Sequence, residues 1–277
     1  MAHGGSADPR VVDGVMTQVR QALAEKAHRP VVIGLCGSQG SGKTTLAAAV
    51  LEACRAQDLR CAVLSIDDIY LTRAEREDLA DRVHPLFATR GVPGTHDVAL
   101  GLAVIAALER GEASPLPRFD KSCDDREPTE NWPAAPADCE VLLLEGWCVG
   151  ASAQPPVTLV RPVNALESEE DPDAIWRSFA NAALAGGYAE LFARIDRLVL
   201  LAAPDFAVVR GWRLQQEEEL AARLGAGAQV MSAPEIARFV SHYERLTRHI
   251  LAEMPDRANL IVRLDAARRP IEITALR

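Results

Sequence analysis

The chain has 277 residues, with 30 Lys+Arg against 39 Asp+Glu, a formal net charge of −9 and 48% hydrophobic residues. This is an ordinary globular composition, long enough for one large α/β core. The acidic total argues against general affinity for nucleic acid, although a cleft can still gather enough basic residues to hold an anionic ligand.

In chain order, apolar residues at Val12, Val15, Met16, Val19 and Leu23 recur with a helical period, which predicts a helix over Val11–Lys26, ended by Pro30. The apolar run Val31–Cys36 reads as a strand; a glycine cluster follows, then a helix over Thr44–Cys54. Further strands are expected at Cys61–Ile66, Val141–Leu144, Leu198–Leu201 and Leu260–Leu264. These runs are nearly continuous in apolar residues, as in a parallel sheet covered on both faces. Helices are expected at Val98–Arg110, Ile175–Leu191, Phe206–Leu224 and Pro234–Met254, the third with an exposed face at Glu217, Glu218, Glu219 and Arg223. The alternation predicts an α/β fold, a doubly wound, mainly parallel sheet flanked by helices. Two Pro-rich stretches, Ser114–Ala137 and Gly150–Pro172, read as long loops, which in a compact domain are usually functional or disordered.

The longest apolar runs fall far short of the ~20 residues that cross a bilayer, so no membrane span is expected. Met1–Arg10 has no apolar core of the signal-peptide kind, so export is not expected either. Six cysteines without C-x-x-C spacing suit free thiols in a reducing cytoplasm.

The segment Gly37-Ser38-Gln39-Gly40-Ser41-Gly42-Lys43-Thr44, followed by Thr45, satisfies G-x-x-x-x-G-K-[ST] between an expected strand and helix, the context a P-loop requires. Glycines let successive N–H groups turn inward around phosphate oxygens, and the helix adds its positive end. Lys43 would reach the β- and γ-phosphates, and the Thr44 hydroxyl would bind Mg²⁺. Neither a guanine-reading N-K-x-D segment nor an ABC-type signature is present. Glu145, at the tip of the Leu142–Leu144 strand, could hold Mg²⁺ or its water, or be a solvated strand-end residue. In Ser65-Ile66-Asp67-Asp68-Ile69-Tyr70, Asp67 could take a proton from an attacking hydroxyl, and stands also as a metal candidate. Either Asp could instead cap a helix near Thr72.

Together these motifs resemble the small-molecule P-loop kinases that include uridine kinase, pantothenate kinase and phosphoribulokinase, and most of all the plant- and fungal-type D-glycerate 3-kinase family. The resemblance rests on Gly34–Gly37 leading into the P-loop, Ser65–Thr72, Arg90–Asp97, Leu116–Ser122 with Asp125 and Arg126, Glu145–Gly150, Asn164–Asp171 and Trp212–Glu217. It covers about 31–220; 1–30, an expected N-terminal helical extension, carries no such signal. Ile69 departs from the aromatic residue of uridine kinases, and a stretch from Ala151 finds no match. The resemblance implies one P-loop kinase domain with a helical lid over about 205–224, using ATP and Mg²⁺ to phosphorylate a hydroxyl of a small acid, with D-glycerate giving 3-phosphoglycerate.

The remaining candidates follow from residue chemistry and from that resemblance. The turn at Gly91–Gly94 would deliver Thr95, His96 and Asp97 beside Tyr70 as substrate ligands, although Asp97 could equally be a helix cap and His96 a neutral turn residue. Arg118, Lys121 and Arg126 could clamp a substrate carboxylate or form a solvated mixed-charge loop; the resemblance makes 114–137 a substrate-binding hairpin. It also implies a lid arginine at the transferring phosphoryl group, Arg213 first and Arg210 second, with Gln215 and Gln216 beside them. Trp147, Trp176 and Trp212 read as packing residues. The same machinery could serve pantothenate, a nucleoside or another polyol acid, or a nucleotide-dependent switch without acceptor turnover.

Overall fold

A computed structural model describes residues 7–224 and 232–276; the side chains of 216–224 fall outside it, and with them the expected exposed face at Glu217, Glu218, Glu219 and Arg223, and Gln216. The main elements are α1 (Pro9–Glu25), β1 (Val31–Gly37), α2 (Lys43–Arg55), β2 (Cys61–Ser65), α3 (Arg73–Arg82), α4 (Val98–Glu109), β3 (Val141–Gly146) and α5 (Ala165–Glu169). They continue with α6 (Ile175–Ala185), α7 (Gly187–Phe192), β4 (Arg197–Ala202), α8 (Phe206–Leu224), α9 (Ala233–Glu253), β5 (Leu260–Leu264) and β6 (Pro270–Ala275).

The strands form one sheet in the order β6-β5-β4-β1-β3-β2, parallel throughout except for the β5–β6 pair. Every residue of β1 and β3 is buried. Successive residues feed opposite cores: Val32, Cys36, Leu142 and Leu144 face one side with α4, while Val31, Ile33, Leu35 and Leu143 face the other with α1 and α2. Two apolar faces explain why the strand runs are continuous rather than alternating. Helix α1 belongs to this packing, with Val15, Val19 and Ala22 fully buried. None of the described helices is long and apolar enough to cross a membrane.

Three local features depart from the pattern-based reading. The expected helix over Ile175–Leu191 breaks into α6 and α7 at Gly186, whose ψ of −116° is not helical; a Gly-Gly pair has the freedom to make that break. Strand β6 was not expected, because it lies on the sheet edge with Ile271 and Glu272 exposed and lacks a continuous apolar run. The two Pro-rich stretches contain ordered structure: Phe119–Asp120 pairs with Asp125–Arg126 as a small hairpin, and Asn164 caps α5 through its side-chain oxygen. Trp147, Trp176 and Trp212 pack, each 3% exposed.

The sheet register sets the site. Leu35 of β1 and Ser65 of β2 both lie opposite Glu145 of β3, so the chain leaves these three strands side by side at their C-terminal ends. That edge is where α/β sheets gather ligands.

Candidate active site

Strand β1 ends at Gly37, and α2 begins at Lys43 after a tight loop. Gly42, the residue before the helix, has φ +88°, a left-handed conformation that glycine adopts without strain. The loop and helix start contribute Gln39, Gly40, Gly42, Lys43, Thr44 and Thr45 to a cavity of about 290 Å³. Gly37, Ser38 and Ser41 do not line it; Ser38 and Ser41 are buried behind it, their hydroxyls without a hydrogen-bond partner among the described residues.

At the cavity floor, Thr44 Oγ1 lies 3.4 Å from Glu145 Oε1, which it can donate to. Glu145 is 5% exposed, and its second oxygen is buried without a hydrogen-bond partner among the described residues. Such a carboxylate is costly unless something positive or hydrogen-bonding meets it.

Across the cavity stands Asp67, in the single helical turn after β2. Its Oδ1 accepts from Tyr70 Oη at 2.8 Å and its Oδ2 from Lys121 Nζ at 2.6 Å. Desolvation in the cleft works to raise the Asp67 pKa, yet the Lys121 and Lys43 ammoniums and the two hydrogen bonds outweigh it and hold the carboxyl well below the ordinary carboxylate range. Both Asp67 oxygens are thus taken up by side chains, and the structure does not join Asp67 to the Thr44–Glu145 pair. Neither Asp67 nor Asp68 caps α3; Thr72 does so, in a reciprocal capping box with Glu75.

Asp68 instead anchors the hairpin. It accepts from the Phe119 backbone at 3.2 Å and from Arg118 Nη1 at 3.0 Å. Of the three hairpin cations, only Lys121 lines the cavity. Arg118 is paired with Asp68, while Arg126 donates to the Tyr70 carbonyl at 2.9 Å and to Asp97 at 3.2 Å. Arg118 and Arg126 hold the hairpin to the turn after β2, rather than facing the cavity.

The turn residues are likewise committed elsewhere. Thr95 is fully buried: its hydroxyl accepts from Gly91 N–H at 2.9 Å and donates to the Val92 carbonyl at 2.7 Å. Asp97 caps α4, accepting from Leu100 N–H at 2.9 Å. His96 stacks on Tyr70 at 4.6 Å and its Nδ1 meets Tyr188 Oη at 2.5 Å; burial drives its pKa down to about 3, so it is neutral. None of the three lines the cavity. Their backbone positions Tyr70: Leu71 N–H donates to the Thr95 carbonyl and Asp97 N–H to the Ile69 carbonyl.

A further wall is formed by Arg213 of α8 with Phe239 and Tyr243 of α9. Arg213 lies over the Phe239 ring, 5.4 Å from its centroid. Arg210, one turn earlier, faces a separate groove among α5, α8 and α9, together with Glu169 and Arg238.

Three cavity residues, Arg90, Phe239 and Tyr243, were not expected. Tyr243 sits on the core-facing side of α9, and its hydroxyl donates to the Arg90 carbonyl at 3.1 Å. A side chain at Gly91 would put its Cβ 1.9 Å from that hydroxyl, so glycine is what lets α9 meet the turn. The glycine after Arg90 was the available signal, but nothing local links it to a tyrosine 152 positions on.

Over 225 residues the chain is 37% identical to the uncharacterized kinase mug58 of Schizosaccharomyces pombe, an alignment covering 78% of this chain and 79% of that one. It is 31% identical over 261 residues to the chloroplastic D-glycerate 3-kinase of Arabidopsis thaliana; that alignment covers 87% of this chain and 54% of the plant protein, so the chain spans about half the plant protein's length. Its fold superposes on that of a D-glycerate 3-kinase from Cryptococcus neoformans with a TM-score of 0.80 at 23% identity, over 96% of this chain and 98% of that one. No protein-family model matches the chain. A P-loop at the C-terminal edge of a parallel sheet, together with these relatives, places the chain in the same family as the kinase mug58, as an ATP-dependent P-loop kinase similar to the D-glycerate 3-kinases.

Proposed function

We propose that the chain transfers the γ-phosphoryl group of ATP to a hydroxyl of D-glycerate, giving 3-phosphoglycerate and ADP. The observation that carries the reading is the ionised Asp67, facing the phosphate loop across one cavity with cations on both sides. In this reading the loop amides and Lys43 hold the triphosphate, and Asp67 orients the acceptor hydroxyl with Tyr70 beside it. The acceptor oxygen bonds to the γ-phosphorus as the bond to the ADP oxygen breaks, and the hydroxyl proton passes to Asp67 late in the step. Arg213 stabilises charge on the transferring group.

Thr44 and Glu145 suit Mg²⁺. Their oxygens adjoin, and Glu145 keeps a buried oxygen without a protein partner among the described residues. The Thr44 hydroxyl and Glu145, directly or through a water, would hold the ion beside waters and phosphate oxygens. Bound there, Mg²⁺ would neutralise charge on the phosphate oxygens. The free cysteines support a reducing compartment, the cytoplasm.

The test is ADP release from Mg·ATP with D-glycerate, L-glycerate, uridine, pantothenate or no acceptor. Strong dependence on D-glycerate is expected. Slow ADP release indifferent to every acceptor would instead favour a nucleotide-driven switch.

A further inference from the structure

Four cations line the cavity: Lys43, Arg90, Lys121 and Arg213. Three have evident work in the reading above. Lys43 belongs to the phosphate loop, Arg213 comes from the lid helix, and Lys121 has its ammonium on Asp67 at 2.6 Å. The hairpin arginines Arg118 and Arg126 are paired outside the cavity.

Arg90 remains, and its surroundings are built. Its Nη1 is hydrogen-bonded to Asp124, a carboxylate shared with Arg76, whose Nη2 lies 2.9 Å from the other oxygen. Arg76 is 1% exposed and also donates to the Asp124 carbonyl at 2.8 Å. Both guanidiniums lie over the Phe119 ring, at 5.7 Å and 5.6 Å from its centroid. Two cations therefore share one anion, and of the two it is Arg90 that reaches the cavity. Among the described residues no protein group accepts from Arg90 Nε or Nη2, and a guanidinium edge held in this way suits the two oxygens of a carboxylate. Phe119 and Asp124 both belong to the hairpin segment, so the hairpin's contribution is to orient Arg90 rather than to present Arg118 and Arg126 itself.

We propose that Arg90 is the residue that selects an acid as acceptor, binding the substrate carboxylate while Asp67 holds the hydroxyl. The proposal rests on the acceptor being a small hydroxy acid, as inferred above. The test compares kcat/KM for D-glycerate with that for glycerol, a neutral triol of the same carbon skeleton, in the wild type, Arg90→Gln and Arg90→Lys, with ATP affinity and thermal melting measured in parallel. The acid-over-triol preference is expected to fall on the order of 100-fold in Arg90→Gln, mainly through KM for the acid, with ATP affinity retained. Arg90→Lys, which keeps the charge but loses the planar fork, is expected to fall between the two. Acid turnover whose preference survives in Arg90→Gln overturns the assignment of Arg90 alone. Equal loss of ATP affinity also overturns it, by assigning Arg90 to the phosphates. Wild-type preference for the neutral triol or for a nucleoside overturns the acid reading of the function and the assignment of Arg90 together.

Discussion

Lys121 Nζ lies 2.6 Å from Asp67 Oδ2, so the hairpin's cavity-facing cation is bound to the carboxylate proposed to meet the acceptor hydroxyl. This pairing makes Asp67 a weak base that is ionised throughout the physiological range. A weak base is adequate where the phosphoryl group is largely detached before the hydroxyl loses its proton.

A pH profile follows from that pair. With its pKa held below the ordinary carboxylate value, Asp67 loses its charge only as pH falls through that depressed value. No acid limb from Asp67 is therefore expected between pH 5 and 8. In Lys121→Met the largest lowering influence is gone, the value rises towards the ordinary range, and kcat/KM at pH 5 relative to pH 8 should drop below the wild-type ratio. An unchanged ratio would show that Asp67 does not titrate in the rate-determining step.

Substituting the acid itself separates binding from chemistry. Asp67→Asn should retain ATP affinity while turnover falls on the order of 10²–10⁴-fold, whereas Lys43→Ala should abolish turnover. Nucleotide titration beside steady-state assays reads both, and normal turnover in Asp67→Asn would remove Asp67 from the mechanism.

The two α8 arginines should behave differently. Arg213 lines the cavity beside the P-loop and Arg210 a separate groove. Arg213→Ala is expected to lower kcat by on the order of 10²-fold, and Arg210→Ala to stay within about twofold. Equal losses would mean that α8 presents both residues to the nucleotide.

Much of this was legible in the sequence, because the informative patterns are local. Two-faced burial of β1 and β3 shows as unbroken apolar runs, and the phosphate loop needs its glycines and lysine contiguous. Long-range pairing was not legible. Arg118 and Arg126 read as a free anion clamp because their partners Asp68 and Asp97 lie 50 and 29 positions away. Arg90 stood only within the Arg90–Asp97 segment of the resemblance, with no role of its own, since Asp124 and Phe119, which orient it, come from the hairpin. Thr95, His96 and Asp97 are the right chemical types for ligands, but Thr95 and His96 are buried, and Asp97 caps α4 and pairs with Arg126.

Buried, neutral His96 gives a stability signature. Its pKa is about 3 in the fold, driven down by burial, against an ordinary value of 6.5 that the unfolded chain would show. Between these values the unfolded state binds the extra proton, so the His96 contribution is fully present above pH 6.5 and is lost as pH falls towards 3. The slope from one such group is about 1.4 kcal/mol per pH unit. Denaturant melts of His96→Phe between pH 6.5 and 5 should show a shallower decline than those of the wild type. Parallel declines would show that His96 is already protonated in the folded chain.

The most direct test of phosphoryl transfer in this cavity is the phosphorus NMR spectrum of Mg·ATP and D-glycerate incubated with the wild-type chain. A new phosphomonoester signal matching 3-phosphoglycerate, growing in step with ADP, is the predicted result. Inorganic phosphate as the only new signal would contradict it, showing that water rather than a hydroxy acid receives the phosphoryl group.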